Sequence, residues 1–177
     1  MITCSKTYSD VPFAHRQHRH TGHCARIHGH NWKFKLTFAC EQCDKNGFVV
    51  DFGALKYIKR WIAEYLDHAC VLAVDDPLKD RIVQSVPEVY QLYEVYNASC
   101  EGISTHLWEV FSELLYEHEG DRVWIAQVEL WEDANNTTCF IPSVEEIRQM
   151  QVQLRQRLSR PQVNVSSGLN QSQEVLA

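Results

Sequence analysis

Glycine and proline are scarce in this chain, seven and five residues in 177, and there are only two methionines. That scarcity excludes a collagen-like or Pro/Gly-rich disordered chain. No apolar run reaches the roughly 18 residues of a membrane-spanning helix, because Lys, Arg, Asp or Glu interrupts each one. A basic excess is missing too: 17 Lys and Arg stand against 23 Asp and Glu, a net charge of −6. A nucleic-acid backbone therefore has no general electrostatic hold on the protein, and neither nucleic acid nor membrane is expected as a partner. No internal repeat is visible, and no charged-then-apolar leader precedes the cysteines. The seven cysteines are odd in number and irregular in spacing, which points to reduced thiols in a cytoplasmic protein.

What is present is an ordinary globular composition, 45% hydrophobic and 23% charged, at a length suited to one well-buried domain. The opening segment from Ile2 to Ser9 is β-compatible, and a charged, aperiodic His-rich stretch follows it as a loop. Trp32, Phe34, Leu36 and Phe38 then alternate with polar residues, the period of a half-buried strand. Phe48 to Phe52, after turn residues, reads as its hairpin partner. Helical spacing runs from Gly53 to His68, with Leu55, Ile58, Ile62, Tyr65 and Leu66 on one stripe, and again from Glu101 to His118. Between them lies a long connection with Asp75-Asp76-Pro77 and a short strand at 92–96. Strands at 124–130 and 137–141 close an α+β domain, residues 1–142, with helices on one sheet face. Ser143 and Glu146 have capping-box spacing and open an extra C-terminal helix over 143–160, while 161–177, rich in Ser, Gln and Asn, is expected to be a flexible tail.

Six of the nine histidines, His15, His18, His20, His23, His28 and His30, crowd into one segment. His28-Gly29-His30 begins a strand, so its two imidazoles share a face and form a chelating pair. A third ligand with an open fourth position has the composition of a catalytic zinc site. His15 is the best candidate, since Phe13-Ala14 anchor it, whereas His18, His20 and His23 lie among polar loop residues. Cys24 shares the loop with Arg26, and a thiol beside a cation and a metal can serve as nucleophile, general base or ligand. In Asp67-His68 a carboxylate can orient an imidazole, and Glu132 ends an otherwise apolar strand face. Cys40 and Cys43 form a CxxC without a second pair or a thioredoxin-like context.

The stretches Ala14-His15-Arg16, Cys24-Ala25-Arg26-Ile27-His28-Gly29-His30, Val50-Asp51-Phe52-Gly53-Ala54-Leu55-Lys56 and Leu66-Asp67-His68 together resemble the 6-pyruvoyl-tetrahydropterin synthase superfamily. The likeness continues, less closely, through Asn97-Ala98-Ser99-Cys100-Glu101 and Leu130-Trp131-Glu132. It implies a tunnelling fold: a four-stranded antiparallel sheet with two helices on one face, closing with neighbouring copies into a homo-oligomer whose sites lie between subunits. It also implies Zn2+ on His15, His28 and His30, Cys24 as general base, Asp67 and His68 as a proton relay, and Glu132 holding the pterin's guanidine-like edge. Ser99, Glu101 and Arg26 would be further substrate contacts, with Arg16 and Arg19 as other cations near a triphosphate.

Three residues separate Cys24 from His28, a spacing that resembles the 6-carboxytetrahydropterin-forming branch. That branch is a carbon-carbon lyase family that converts 7,8-dihydroneopterin triphosphate with release of acetaldehyde and triphosphate, in 7-deazapurine (queuosine-type) biosynthesis. The alternatives are the pyruvoyl-forming reaction and a non-catalytic zinc-binding oligomeric protein. Ala98, Gly102 and Asp133 depart from the family pattern, which has Pro, Asn and Thr there.

Overall fold

The computed structural model describes residues 1–158, so the expected tail at 161–177 lies outside the described residues. A long antiparallel hairpin organises the molecule: β1 (Ile2–His15) runs against β2 (His28–Cys40) from Ile2 opposite Cys40 to His15 opposite His28. β5 (Val123–Trp131) pairs with β2, and β6 (Thr137–Phe140) pairs with β5, all antiparallel. These are the four antiparallel strands expected, but the sheet has six. β3 (Cys70–Ala73) joins the end of β1 in parallel, through Ala14 opposite Cys70 and His15 opposite Val71, and β4 (Leu92–Val95) lies parallel to β3. The order is therefore β4-β3-β1-β2-β5-β6.

Two expectations about strands need correction. β1 does not stop near Ser9. A bulge between Tyr8 and Val11, with Asp10 in the left-handed region at φ 60°, carries the strand on to His15. Nor is 48–52 a strand: Val49 and Val50 are both buried in succession, Asp44 Oδ1 accepts the Asn46 and Phe48 N–H groups, and the Val49 carbonyl accepts from Arg122 Nη1 at 2.9 Å. A local turn and a distant guanidinium satisfy that backbone in place of a ladder.

α1 (Lys56–Tyr65) and α3 (Cys100–Glu119) supply the expected helices. α1 buries Tyr57, Ile58 and Ile62, whereas Tyr65, expected on that stripe, is exposed. Ile103, Leu107 and Phe111 of α3 are buried in one core with Trp32, Phe34, Leu36, Phe38, Ile125, Val128 and Leu130 from the alternating strands. A short α2 (Lys79–Ser85) lies in the long connection. α4 (Val144–Leu158) opens with the expected capping box: the Ser143 N–H donates to Glu146 Oε2 at 2.7 Å, and the Glu146 N–H to Ser143 Oγ at 3.2 Å. Leu154 is buried, Ile147 and Met150 pack on the core, and Arg157 and Arg155 pair with Glu113 and Asp121. No helix among the described residues is long and apolar enough to cross a membrane.

Candidate active site

The β1 bulge places the first candidate metal ligand. Before it the even-numbered residues Cys4, Lys6 and Tyr8 face inward; after it the odd-numbered Val11, Phe13 and His15 do. The extra residue thus turns His15 onto the face that β2 fills with His28, His30 and Trp32. Glu132, two residues beyond buried Leu130 at the end of β5, continues that strand's inward parity. His15, His28, His30 and Glu132 offer donor atoms all within 4.8 Å of one another, the sole such group of metal-binding side chains among the described residues.

Neighbouring carbonyls fix the tautomers of two of these imidazoles. Ala98 O lies 2.8 Å from His15 Nδ1, and Arg26 O lies 2.8 Å from His28 Nδ1. A carbonyl can only accept, so each Nδ1 carries a proton, and in the neutral ring that leaves the lone pair on Nε2. The Nε2 atoms of His15 and His30 are buried without a hydrogen-bond partner. Glu132 Oε1 is 3.2 Å from the first and 3.5 Å from the second, close but not aligned as a hydrogen bond. Burial holds the His15 imidazole below the usual histidine range, which favours the neutral, lone-pair form. Partnerless buried nitrogens cost about 1–3 kcal/mol each. A cation removes that cost, so the residues fit a zinc-type ion held by imidazole and carboxylate donors.

Cys24 sits on a single 3-10 turn (His23–Ala25), its carbonyl accepting from the Gln17 N–H at 2.8 Å. It lines a cavity of about 690 Å³ together with Arg19, Ser99, Glu101 and Glu132. Ser99 is also the N-cap of α3, accepting the Gly102 N–H at 3.0 Å. A Cβ on Gly102 would lie 2.3 Å from the Asn97 carbonyl oxygen, which is why the asparagine of the family pattern has no room here. Asp133, in place of threonine, closes the β5-to-β6 turn. Its Oδ1 accepts the Asn135 and Asn136 N–H groups at 2.7 and 2.8 Å, and these bonds hold its carboxyl well below the usual range.

Asp67 and His68 form a pair, Oδ1 to Nδ1 2.7 Å, just past the end of α1. His68 is left-handed at φ 62°, held by its N–H to Pro12 O at 2.7 Å, a backbone cost stored at a candidate site. Its side chain is 82% exposed and borders a cleft with Gly29, His30 and Asn31, whereas the Cys24 cavity has neither Asp67 nor His68 in its wall. Arg26 is exposed; its carbonyl, not its guanidinium, touches the cluster.

Sequence reasoning missed Asp75 and Asp76. Arg16 grips Asp76 through Nε at 2.6 Å and Nη2 at 3.2 Å and donates to Ala25 O at 3.1 Å, while Arg19 pairs with Asp75. The long connection after β3 thus clamps the His-rich loop, and the two arginines already have carboxylate partners. Only the arginine-rich character of the loop hinted that acids had to come from somewhere. The backbone role of Ala98 left no signal at all.

The sequence profile of the family described as 6-pyruvoyl tetrahydropterin synthase matches residues 3–143. A Rickettsia felis protein named 6-carboxy-5,6,7,8-tetrahydropterin synthase is 31% identical over 143 residues, 80% of this chain and 99% of the relative. An Aquifex aeolicus protein of the same name is 24% identical over 119 residues, 64% of this chain and 72% of the relative. Among solved structures, an uncharacterised Wolinella succinogenes protein superposes with TM-score 0.70 at 19% identity, covering 80% of this chain and 98% of that one. The 6-pyruvoyl tetrahydropterin synthase of Caenorhabditis elegans superposes with TM-score 0.55 at 20% identity, covering 80% and 96%. The chain belongs to the 6-pyruvoyl tetrahydropterin synthase family.

Proposed function

We propose that this protein is a zinc-dependent carbon-carbon lyase that converts 7,8-dihydroneopterin triphosphate and one water to 6-carboxy-5,6,7,8-tetrahydropterin, releasing acetaldehyde and triphosphate. It would act in the cytoplasm, where its seven free thiols stay reduced, and supply a 7-deazapurine pathway of the queuosine type. The observation that carries this reading is the cluster of His15, His28, His30 and Glu132, its partnerless nitrogens lying beside the cavity that holds Cys24. Relatives named for this product, and the short Cys24-to-His28 spacing, favour it over the pyruvoyl-forming reaction.

His15, His28 and His30 would hold the zinc, which when bound polarises side-chain oxygens of the substrate and acidifies the neighbouring C–H. Cys24, as thiolate, takes a proton from the side-chain carbon. Glu132 accepts hydrogen bonds from the amino and ring N–H groups of the pterin, and Ser99 and Glu101 shape the same wall. Asp67 orients His68 to carry a proton to or from the side chain. That pair lies outside the Cys24 cavity of its own chain, and among the described residues β1 has no strand partner on its outer side before Pro12, whose carbonyl takes the His68 N–H. Both features support a homo-oligomer in which one copy's Asp67-His68 completes another's site.

The test is incubation with dihydroneopterin triphosphate, mass analysis of the pterin and assay of the two-carbon fragment. Acetaldehyde with a 6-carboxy pterin is the expected result; a retained three-carbon side chain assigns the pyruvoyl-forming reaction, and an unchanged substrate removes the catalytic reading.

A further inference from the structure

The 3-10 turn that carries Cys24 buries none of its three residues, so hydrogen bonds rather than packing place it. Two of these shape the turn itself: the Ala25 N–H donates to Gly22 O at 3.1 Å and the Arg26 N–H to His23 O at 3.0 Å. Two others fix where it sits. The Gln17 N–H donates to Cys24 O at 2.8 Å, and Arg16 Nη1 donates to Ala25 O at 3.1 Å. The rest of the Arg16 fork goes to Asp76, through Nε at 2.6 Å and Nη2 at 3.2 Å. The Asp76 side chain is 0% exposed, and its own neighbours hold it: Oδ1 also accepts the Leu78 N–H at 2.9 Å, and the Asp76 N–H donates to Ala73 O at 3.0 Å. Ala73 ends β3, and β3 lies beside β1 where Val71 stands opposite His15. A buried acid fixed to the strand next to His15 thus reaches, through one guanidinium, the carbonyl of the residue after Cys24.

We propose that Asp76 is a positioning residue for the reaction: acting through Arg16, it holds the Cys24 thiol at a set place relative to the imidazole cluster. The proposal rests on the function given above, in which Cys24 takes the proton. An arginine is required because its planar fork serves the two carboxylate oxygens and the Ala25 carbonyl at once, which a lysine ammonium does not. Without the carboxylate charge, Arg16 loses the partner that aims it, turns toward water and releases Ala25 O. The turn then keeps its shape but not its place. A displacement of about 1 Å in a reacting group can cost about 10²-fold in rate. The Lys79–Glu94 pair on the same long connection is a control, since Glu94 is 43% exposed and joins α2 to β4 rather than to the loop of Cys24.

Asp76→Asn keeps the size of the side chain and an acceptor for the Leu78 N–H. It should lower kcat by about 10- to 100-fold with KM within about three-fold, while zinc content and pterin binding stay at wild-type values. Arg16→Lys keeps a charge beside the buried acid and should show the same split even if Asp76→Asn folds poorly. Glu94→Gln should leave kcat within about two-fold, as for other exposed pairs. The readout that a merely structural role would not give is the double variant. Added to Cys24→Ala, Asp76→Asn should cost less than about three-fold more, because no thiol is left to place. Hydrogen exchange gives a measure independent of turnover: in Asp76→Asn the amides of 17–26 should exchange about ten-fold faster or more, with those of β2 unchanged. An unchanged kcat, the full loss repeated in the Cys24→Ala background, or unchanged exchange in the loop overturns the proposal. If the wild type does not turn over the substrate, the functional reading falls, and loop exchange in Asp76→Asn then decides the clamp by itself.

Discussion

The two ends of the β1–β2 hairpin both carry residue types that can serve as metal ligands. At one end stand His15, His28 and His30; at the other, Cys4 and Cys40 lie on one face, since Cys4 is opposite Phe38 and Ile2 opposite Cys40, with Cys43 in the turn that follows. The thiols are packed against the apolar core, Cys40 hydrogen-bonded to Cys43 with no disulfide between them. Burial pushes the Cys4 and Cys40 thiols up, so they stay protonated and poor as ligands. The imidazole end is built the opposite way: carbonyls accept the Nδ1 protons of His15 and His28, and the buried Nε2 atoms of His15 and His30 have no hydrogen-bond partner. Ligand residue type is present at both ends. What separates them is the outer partner that orients a donor and the absence of any inner partner to satisfy it.

The sharpest way to break this comparison is to remove an imidazole. His28→Ala should lose most of the zinc and, with it, turnover by at least about 10³-fold, because it removes one of the three imidazoles placed to hold the ion and leaves Glu132 to serve both ion and substrate. Metal analysis of the purified variant and of the wild type checks it. Zinc at full stoichiometry in His28→Ala, or a metal-free wild type whose turnover no added metal supports, would remove the imidazole end from the chemistry. Cys24→Ala comes next: it should keep zinc and fold but lose about 10²-fold or more in rate, the usual scale for a general base. Single-turnover measurements with metal analysis decide whether the thiol or the ion was lost.

How much of this end the sequence revealed depends on where each signal is local. The alternation from Trp32 to Phe38 gave a strand and the parity of His28 and His30; on β5 the expected even-numbered face holds only from Val128 through Leu130 toward Glu132, because a bulge opposite Thr37/Phe38 buries Val123 and Ile125 in place of Trp124 and Ala126. His15 was chosen for its apolar neighbours, yet its inward direction comes from a bulge at Tyr8/Val11 that no alternation shows. β3 is a four-residue run buried throughout, and so brief an apolar stretch carries no period with which to tell a strand from a helix or loop. Phe48 to Phe52 looked like a strand because its aromatics and valines have strand propensity; the acceptor in Asp44 and the guanidinium of Arg122 overrode it. Arg16 and Asp76 are sixty residues apart, and a pairing across that distance leaves no mark in either segment.

Glu132 tests whether the fourth member of the cluster belongs to the ion or to the substrate. Glu132→Gln replaces one acceptor oxygen with a donor, and charged hydrogen bonds of this type are worth about 1.5–3 kcal/mol. Pterin binding should weaken by roughly 10- to 100-fold while zinc stays on the three histidines. Equilibrium binding of a pterin, followed by metal analysis, separates the possibilities. Zinc lost along with the carboxylate makes Glu132 a fourth ligand, and unimpaired pterin binding moves the anchor to Glu101.

The smallest effect is expected at the thiol end. Cys43 is half-buried and Cys40 fully so, and neither has an imidazole or carboxylate near enough to complete a metal set among the described residues. Cys43→Ser keeps the size and a hydrogen-bonding group, so it should change stability by about 1 kcal/mol or less and leave zinc content and turnover at wild-type values. Cys24, which lines an open cavity, should react with an alkylating reagent at neutral pH well before Cys40, which is fully enclosed. Mass mapping of the alkylated chain gives that order directly. Should Cys43→Ser instead lose half of the bound metal, or Cys40 be labelled first, the thiol end would hold an ion of its own, and the contrast between the two ends of the hairpin would disappear.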